Sequence, residues 1–150
     1  MGLNEEVELL RKIPLFANVE SAKLKLLAFT SDRLIFQEGQ ALFQQGEVGD
    51  AAYLILSGVV RISINGPNGE LDLATAGAHE IIGEIAILCD VPRTANVTAQ
   101  SEVITLRISK DLFFRLIEEF PQMAIEIMRE LAHRLELSNA RLQAAYVETG

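Results

Sequence analysis

The sequence predicts a mainly β fold with flanking helices (α+β), a β-barrel or sandwich with helices before it and a long helix after it. Three observations carry that prediction. Between residues 31 and 108, short runs of branched and aromatic residues recur every ~8–12 residues, separated by turn signals. On either side of that stretch the apolar spacing turns helical. The 150 residues suit one domain that buries roughly 70% of its unfolded surface, enough for a core without staples. The expected organisation is N-terminal helices over 1–30, a barrel over 31–108 and C-terminal helices over 109–150.

Residues 5–13 place Val7, Leu9, Leu10 and Ile13 at near-helical spacing, and Pro14 ends that helix or begins the next turn. Asn18 to Phe29 reads as a second helix whose apolar residues Val19, Leu24, Leu26, Leu27 and Phe29 are expected in the core. Strands are expected at 33–36, 41–44, 53–56, 60–64 and 71–74, then at 95–99 and 103–108. Glu38-Gly39, Gly46-Glu47, Gly49-Asp50 and Ser57-Gly58 punctuate them, and Gly66-Pro67-Asn68-Gly69 reads as a hairpin tip. Ser109 is placed to cap a helix over 110–119 that buries Leu112, Phe113, Leu116 and Ile117. Phe120 precedes a proline and should leave that helix, while Pro121 suits the first position of another. The last helix is expected to reach about Tyr146, roughly 39 Å at ~1.5 Å per residue. Ala124, Met128, Leu131, Leu135, Ser138, Leu142 and Ala145 form a heptad seam on it. Its first half is expected to pack on the barrel, and its second half to pair with another copy of the chain.

Composition excludes several function classes. The balance of 13 basic against 21 acidic residues, net −8, works against binding a nucleic-acid backbone, which needs a basic face. One cysteine, Cys89, allows neither an internal disulfide nor a multi-cysteine metal site and suits the cytoplasm. His79 and His133 stand apart from any metal-ligand or acid–base cluster. No apolar run approaches the ~18 residues of a membrane span, and residues 1–8 lack a signal-peptide pattern.

The chemistry concentrates in Gly83-Glu84-Ile85-Ala86-Ile87-Leu88-Cys89-Asp90-Val91-Pro92-Arg93-Thr94-Ala95. This loop carries a carboxylate and a guanidinium between two strands of an acidic protein. Pro92 fixes its own φ and restricts Val91 just before Arg93. Arginine's planar fork suits two phosphate oxygens, and Thr94 adds a hydroxyl and a backbone donor. The segment after Gly83 can form one helical turn whose free N–H groups face an anion.

Three stretches carry a family resemblance: 41–50 (ALFQQGEVGD), 53–62 (YLILSGVVRI) and 83–95. In this order and at these separations they resemble the cyclic nucleotide-binding domain family, shared by the catabolite activator protein, kinase regulatory subunits and nucleotide-gated channels. The third stretch is similar to that family's phosphate-binding cassette, with its Gly-Glu pair and Pro-Arg-Thr-Ala end. The resemblance implies that Arg93 clamps the exocyclic phosphate and that Glu84 accepts a hydrogen bond from the ribose 2′-hydroxyl. It implies that backbone N–H groups of Ala86 and of Thr94 or Ala95 hold phosphate oxygens, that Gly83 lets the backbone pass close to the sugar, and that Ile85 is among the ligand-binding residues. It also implies that the barrel is an antiparallel double-stranded β-helix or jelly-roll barrel (cupin-like). Ile62 and Leu73 are candidates for the apolar wall at the base, and Ser138 and Asn139 for polar contacts to the adenine edge. The transcription-factor branch of the family continues into a helix-turn-helix, whereas this sequence stops four residues after Tyr146.

The expectation is therefore a cytoplasmic sensor, not an enzyme, that needs no cofactor or metal and takes cAMP, or less readily cGMP, as its ligand. Its C-terminal helix would pass the signal to a homodimer mate or to an unidentified effector protein, with no DNA and no membrane as partner. The alternatives are an interaction module of the same fold without a ligand, or the regulatory part of a larger transporter, kinase or transcription regulator.

Overall fold

Two N-terminal helices, eight strands and the helices that follow them make up the computed structural model, which describes residues 3–13, 16–17, 19–129, 131–133 and 135–136. Helix α1 (Leu3–Arg11) buries Val7 and Leu10, with Ile13 just beyond it. Helix α2 (Ser21–Thr30) buries Leu24, Leu27 and Ala28, the 3–4 spacing of one helical face. Leu26 and Phe29, expected in the core, point outward, and Phe29 is 79% exposed. Both fall off the 24–27–28 stripe, which already fills the contact. Asn18, the expected start of α2, lies outside the described residues.

The strands follow as β1 (Asp32–Phe36), β2 (Ala41–Phe43), β3 (Ala51–Ser57), β4 (Val60–Gly66), β5 (Gly69–Ala76), β6 (Ile81–Ile82), β7 (Asn96–Ala99) and β8 (Val103–Ser109). They form two four-stranded antiparallel sheets ordered β1-β8-β3-β6 and β2-β7-β4-β5. The expected strands are all present. Strand β6 is an addition, because a two-residue apolar pair is too short to display a period of two. The β4–β5 hairpin closes at the predicted tip, with Gly66 opposite Gly69 across Pro67 and Asn68.

Strand β3 explains the layering. Its first six residues are all buried. Ala52, Leu54 and Leu56 face a core shared with α1, α2 and the later helices, and Tyr53 and Ile55 face a second core against the other sheet. A strand covered on both faces loses its polar alternation. At the far edge, β5 is exposed at seven of eight positions.

Helix α3 (Glu84–Leu88) interrupts the strands, and α4 (Lys110–Glu119) follows β8 without a loop. Ser109 caps α4 as predicted, its hydroxyl accepting from the Leu112 N–H at 3.3 Å. Residue 120 leaves the helix, and residues 121–129 resume it. That last segment packs on the body through Met123 and Ile127, with Leu131 partly buried against the same core. The heptad residues Ala124 and Met128 do not form that contact; Met128 is 60% exposed and Leu135 is 62% exposed. Tyr146 and the seam positions Ser138, Leu142 and Ala145 lie outside the described residues.

Candidate functional site

The 83–95 loop leaves β6 through Gly83, whose φ of +83° is a left-handed conformation that a side chain would oppose. That turn starts α3, the single helical turn expected there. Asp90, at φ +52°, turns the chain back, and the Val91 N–H reaches the Ala86 carbonyl at 3.2 Å. The Arg93 backbone then locks onto the turn after β2. Its N–H donates to the Glu47 carbonyl at 2.8 Å, and its carbonyl accepts from the Gly46 N–H at 2.9 Å. A closed set of amides fixes the next residues: the Gln45 N–H donates to Asn96 Oδ1, Asn96 Nδ2 to Asn65 Oδ1, and the Asn65 N–H to Gln45 Oε1. Asn96 is buried, so its amide gains from being engaged at both Oδ1 and Nδ2.

Two charged residues of the loop are buried. Glu84 is 2% exposed and Arg93 is 3% exposed, so they are not a solvent-screened surface pair. The Arg93 side chain turns inward. Nη1 donates to the Gly83 carbonyl at 2.9 Å and Nη2 to the Ala51 carbonyl at 2.7 Å. The guanidinium carbon sits 4.1 Å from the centroid of the Phe43 ring. The buried Nε–H has no hydrogen-bond partner among the described residues. Burial holds the guanidinium below the ordinary arginine pKa, while Tyr53, Asp50 and Glu47 pull it upward and Arg107 pushes it down. An anion at this point would offset the desolvation and engage donors that neutral carbonyls satisfy weakly.

Glycines make room for this arrangement. A Cβ on Gly83 would approach Arg93 Nη1 to 2.6 Å and Phe43 Cε2 to 3.2 Å. A Cβ on Gly49 would press on the methyl of Ala86 and lie 3.5 Å from Arg93 Cζ.

These residues line a cleft of about 110 Å³ bounded by Phe43, Ile62, Ile82, Val97, residues 83–86 and residues 93–95. Of the predicted site residues, the structure brings together Gly83, Glu84, Ile85, Ala86, Arg93, Thr94, Ala95 and Ile62. Leu73 is not among the lining residues. The β4–β5 register slips between Ile62 and Ser63, leaving Leu73 as the extra residue of a bulge, 45% exposed. Ser138 and Asn139 lie outside the described residues. The sequence reading missed Phe43, Ile82 and Val97 as lining residues. Phe43 lies within one of the three family-like stretches, but an aromatic residue in a strand reads first as core, and its cationic partner is fifty positions away. Among the described residues, no group of three or more His, Cys, Asp or Glu could hold a metal ion, and no helix is long and apolar enough to cross a membrane.

Comparison with known proteins gives the family. The family model described as "Cyclic nucleotide-binding domain" matches residues 33–120, from β1 through α4. The chain belongs to the cyclic nucleotide-binding domain family. Among relatives, this domain is 32% identical over 136 residues to a CRP-like cAMP-activated global transcriptional regulator of Mycobacterium tuberculosis, covering 90% of this chain and 61% of that protein. It is 33% identical over 108 residues to a cAMP-dependent protein kinase regulatory subunit of Yarrowia lipolytica, covering 72% of this chain and 28% of that one. The crystal structure of the Thermus thermophilus catabolite activator protein superposes with a TM-score of 0.77 at 30% identity, over 87% of this chain and 62% of that one. The chain thus spans under two thirds of the length of each of these relatives. The chain is a cyclic nucleotide-binding domain of the type found in these regulators, and its cleft forms around residues 83–86 and 93–95.

Proposed function

We propose that this domain binds cAMP in the cleft above α3 and uses the binding to shift its C-terminal helix. The buried Arg93 guanidinium carries the reading, being a desolvated cation at the wall of a cleft with a donor to spare. Arg93 takes the cyclic phosphate, joined by the backbone N–H groups at the start of α3 and at Thr94 and Ala95. Glu84 takes the ribose 2′-hydroxyl. Ile62, Ile82 and Val97 supply the apolar wall near the base. Two of the relatives above are named for cAMP, which favours that nucleotide over cGMP.

The cleft is smaller than the ~300–1,000 Å³ usual for small-molecule sites. On this reading binding widens it and moves the segments that bound it. A ligand can drive that motion only through a better fit to one arrangement than to the other. The exposed seam residues Met128 and Leu135 give the moving helix an apolar face for a second copy of the chain or for an effector protein.

Titration calorimetry with cAMP and with cGMP tests the reading, with Arg93→Ala as control. Removing charge-assisted bonds of this kind costs about 2–5 kcal/mol, or a ~30-fold to several-thousand-fold loss of affinity. Micromolar or tighter binding that collapses in the variant is the expected result. No heat with either nucleotide, after unfolding and refolding to strip any ligand carried through purification, would leave a protein-interaction module of this fold.

A further inference from the structure

We infer that Phe43 is a positioning residue for the phosphate-binding arginine, holding the Arg93 guanidinium flat so that its free edge meets the anion. The inference rests on the cyclic-nucleotide reading of the site and adds a residue to it. An arginine side chain reaching its target from a loop has many rotamers, and fixing them on binding costs affinity. Here three contacts fix the guanidinium in advance. The carbonyls of Gly83 and Ala51 accept from Nη1 and Nη2, and the guanidinium carbon lies over the Phe43 ring at 4.1 Å. Two carbonyls alone would leave the plane able to rock about the line joining them. A ring against the face stops that motion and adds a cation–π attraction, which strengthens with desolvation.

The ring is itself held. Tyr53 packs against Phe43 with centroids 5.9 Å apart, and Phe36 meets Tyr53 edge-on at 6.2 Å. This aromatic row crosses from β1 through β3 to β2 and ends under the cation. Gly83 completes the fit, since a Cβ there would strike both Arg93 Nη1 and Phe43 Cε2. The orienting face of the arginine is thus built by the barrel and not by the loop that carries the arginine. Phe43 also lines the cleft, so a simple loss of affinity in a variant would not separate positioning from direct contact with the ligand.

The test uses the full chain as wild type, Phe43→Leu, Phe43→Tyr and Arg93→Lys. Nitrogen-15 spectra of the arginine side chains should show one Nε–H signal displaced by a ring current and slow to exchange. Arg93→Lys should remove it, Phe43→Tyr keep it, and Phe43→Leu move it to the exposed-arginine region. Affinities for cAMP and for adenosine, which lacks the phosphate, are then compared. A positioning role predicts that Phe43→Leu weakens cAMP about ten-fold and leaves adenosine within about two-fold. An equal loss for both ligands would make Phe43 a wall of the cleft only. Unchanged or tighter cAMP binding would also overturn the inference, because the ring would then favour an arginine arrangement that competes with the ligand. If wild type binds no cyclic nucleotide, the reading of the site fails. The Arg93 signal alone then decides whether Phe43 orients it.

Discussion

Substitution of Gly49 tests the packing behind the cassette, because the obstacle to a side chain there is a single methyl group. A Cβ on Gly49 would lie less than 3.0 Å from the Cβ of Ala86. Carbons pack at ~3.5–4.0 Å, so either β3's approach or α3 must move by about an ångström or more. Such overpacking costs about 1–3 kcal/mol. The φ of Gly49 is not left-handed, so alanine is otherwise acceptable and returns about 0.4–1 kcal/mol by restricting the unfolded chain. Gly49→Ala should therefore destabilise by up to about 2.6 kcal/mol. It should also weaken nucleotide binding, because α3 moves with the backbone donors of residues 84–86. Ala86→Gly alone should cost about 1–2 kcal/mol through helix propensity and a lost buried methyl. In Gly49→Ala/Ala86→Gly the methyl changes sides. The new Cβ then meets the Cα of residue 86 at 3.5 Å and Arg93 Cζ at 3.5 Å, both ordinary contacts. The double variant should be more stable than the sum of the singles by about 1–3 kcal/mol. Urea unfolding of the four proteins measures that coupling, and calorimetry with cAMP should show affinity recovering alongside it. Additivity within about 0.5 kcal/mol would refute the reasoning, since residues in contact couple and distant ones do not.

Glu84→Ala should remove discrimination between cAMP and 2′-deoxy-cAMP. Wild type should favour the ribonucleotide by about 10-fold to 150-fold, the worth of one hydrogen bond to a carboxylate, as competition binding would measure. Met128→Glu should weaken a dimer formed through the C-terminal seam about 30-fold or more, read as a shift towards monomer in analytical ultracentrifugation. An unchanged sedimentation profile would remove Met128 from any dimer contact.

Much of this architecture was legible because local chemistry marked it. The tip at Pro67 and Asn68 reads as a turn from the residues alone, and so does the Ser109 cap, because both depend on neighbours within three positions. The 83–95 loop was legible as a motif, and Gly83, Glu84, Arg93 and Thr94 all line the cleft. What stayed hidden depends on pairing across the fold. Leu73 leaves the cleft because of a one-residue slip against β4, and no local signal distinguishes a bulged β5 from a regular one. Leu26 and Phe29 face outward because α1 and the sheet occupy only one side of α2, which hydrophobicity alone does not reveal. The partners of Arg93 were equally invisible. Its carbonyl acceptors lie ten and forty-two positions back, and its aromatic partner fifty.

That division follows from what burying a cation requires. A desolvated guanidinium is costly unless its surroundings are built to receive it, and no short loop can supply enough acceptors by itself. The cassette contributes the arginine and one carbonyl, Gly83. The barrel contributes the Ala51 carbonyl, the Phe43 ring and the Glu47 carbonyl that holds the Arg93 backbone. Motif and barrel are therefore two halves of one site. A cassette sequence placed on a barrel lacking these groups would keep its recognisable residues but leave the arginine free to turn towards solvent. Conversely, the barrel gains little stability from Arg93, because two neutral carbonyls do not repay the desolvation of a full charge. The arrangement makes physical sense as a folding cost borne for a ligand that brings the missing negative charge.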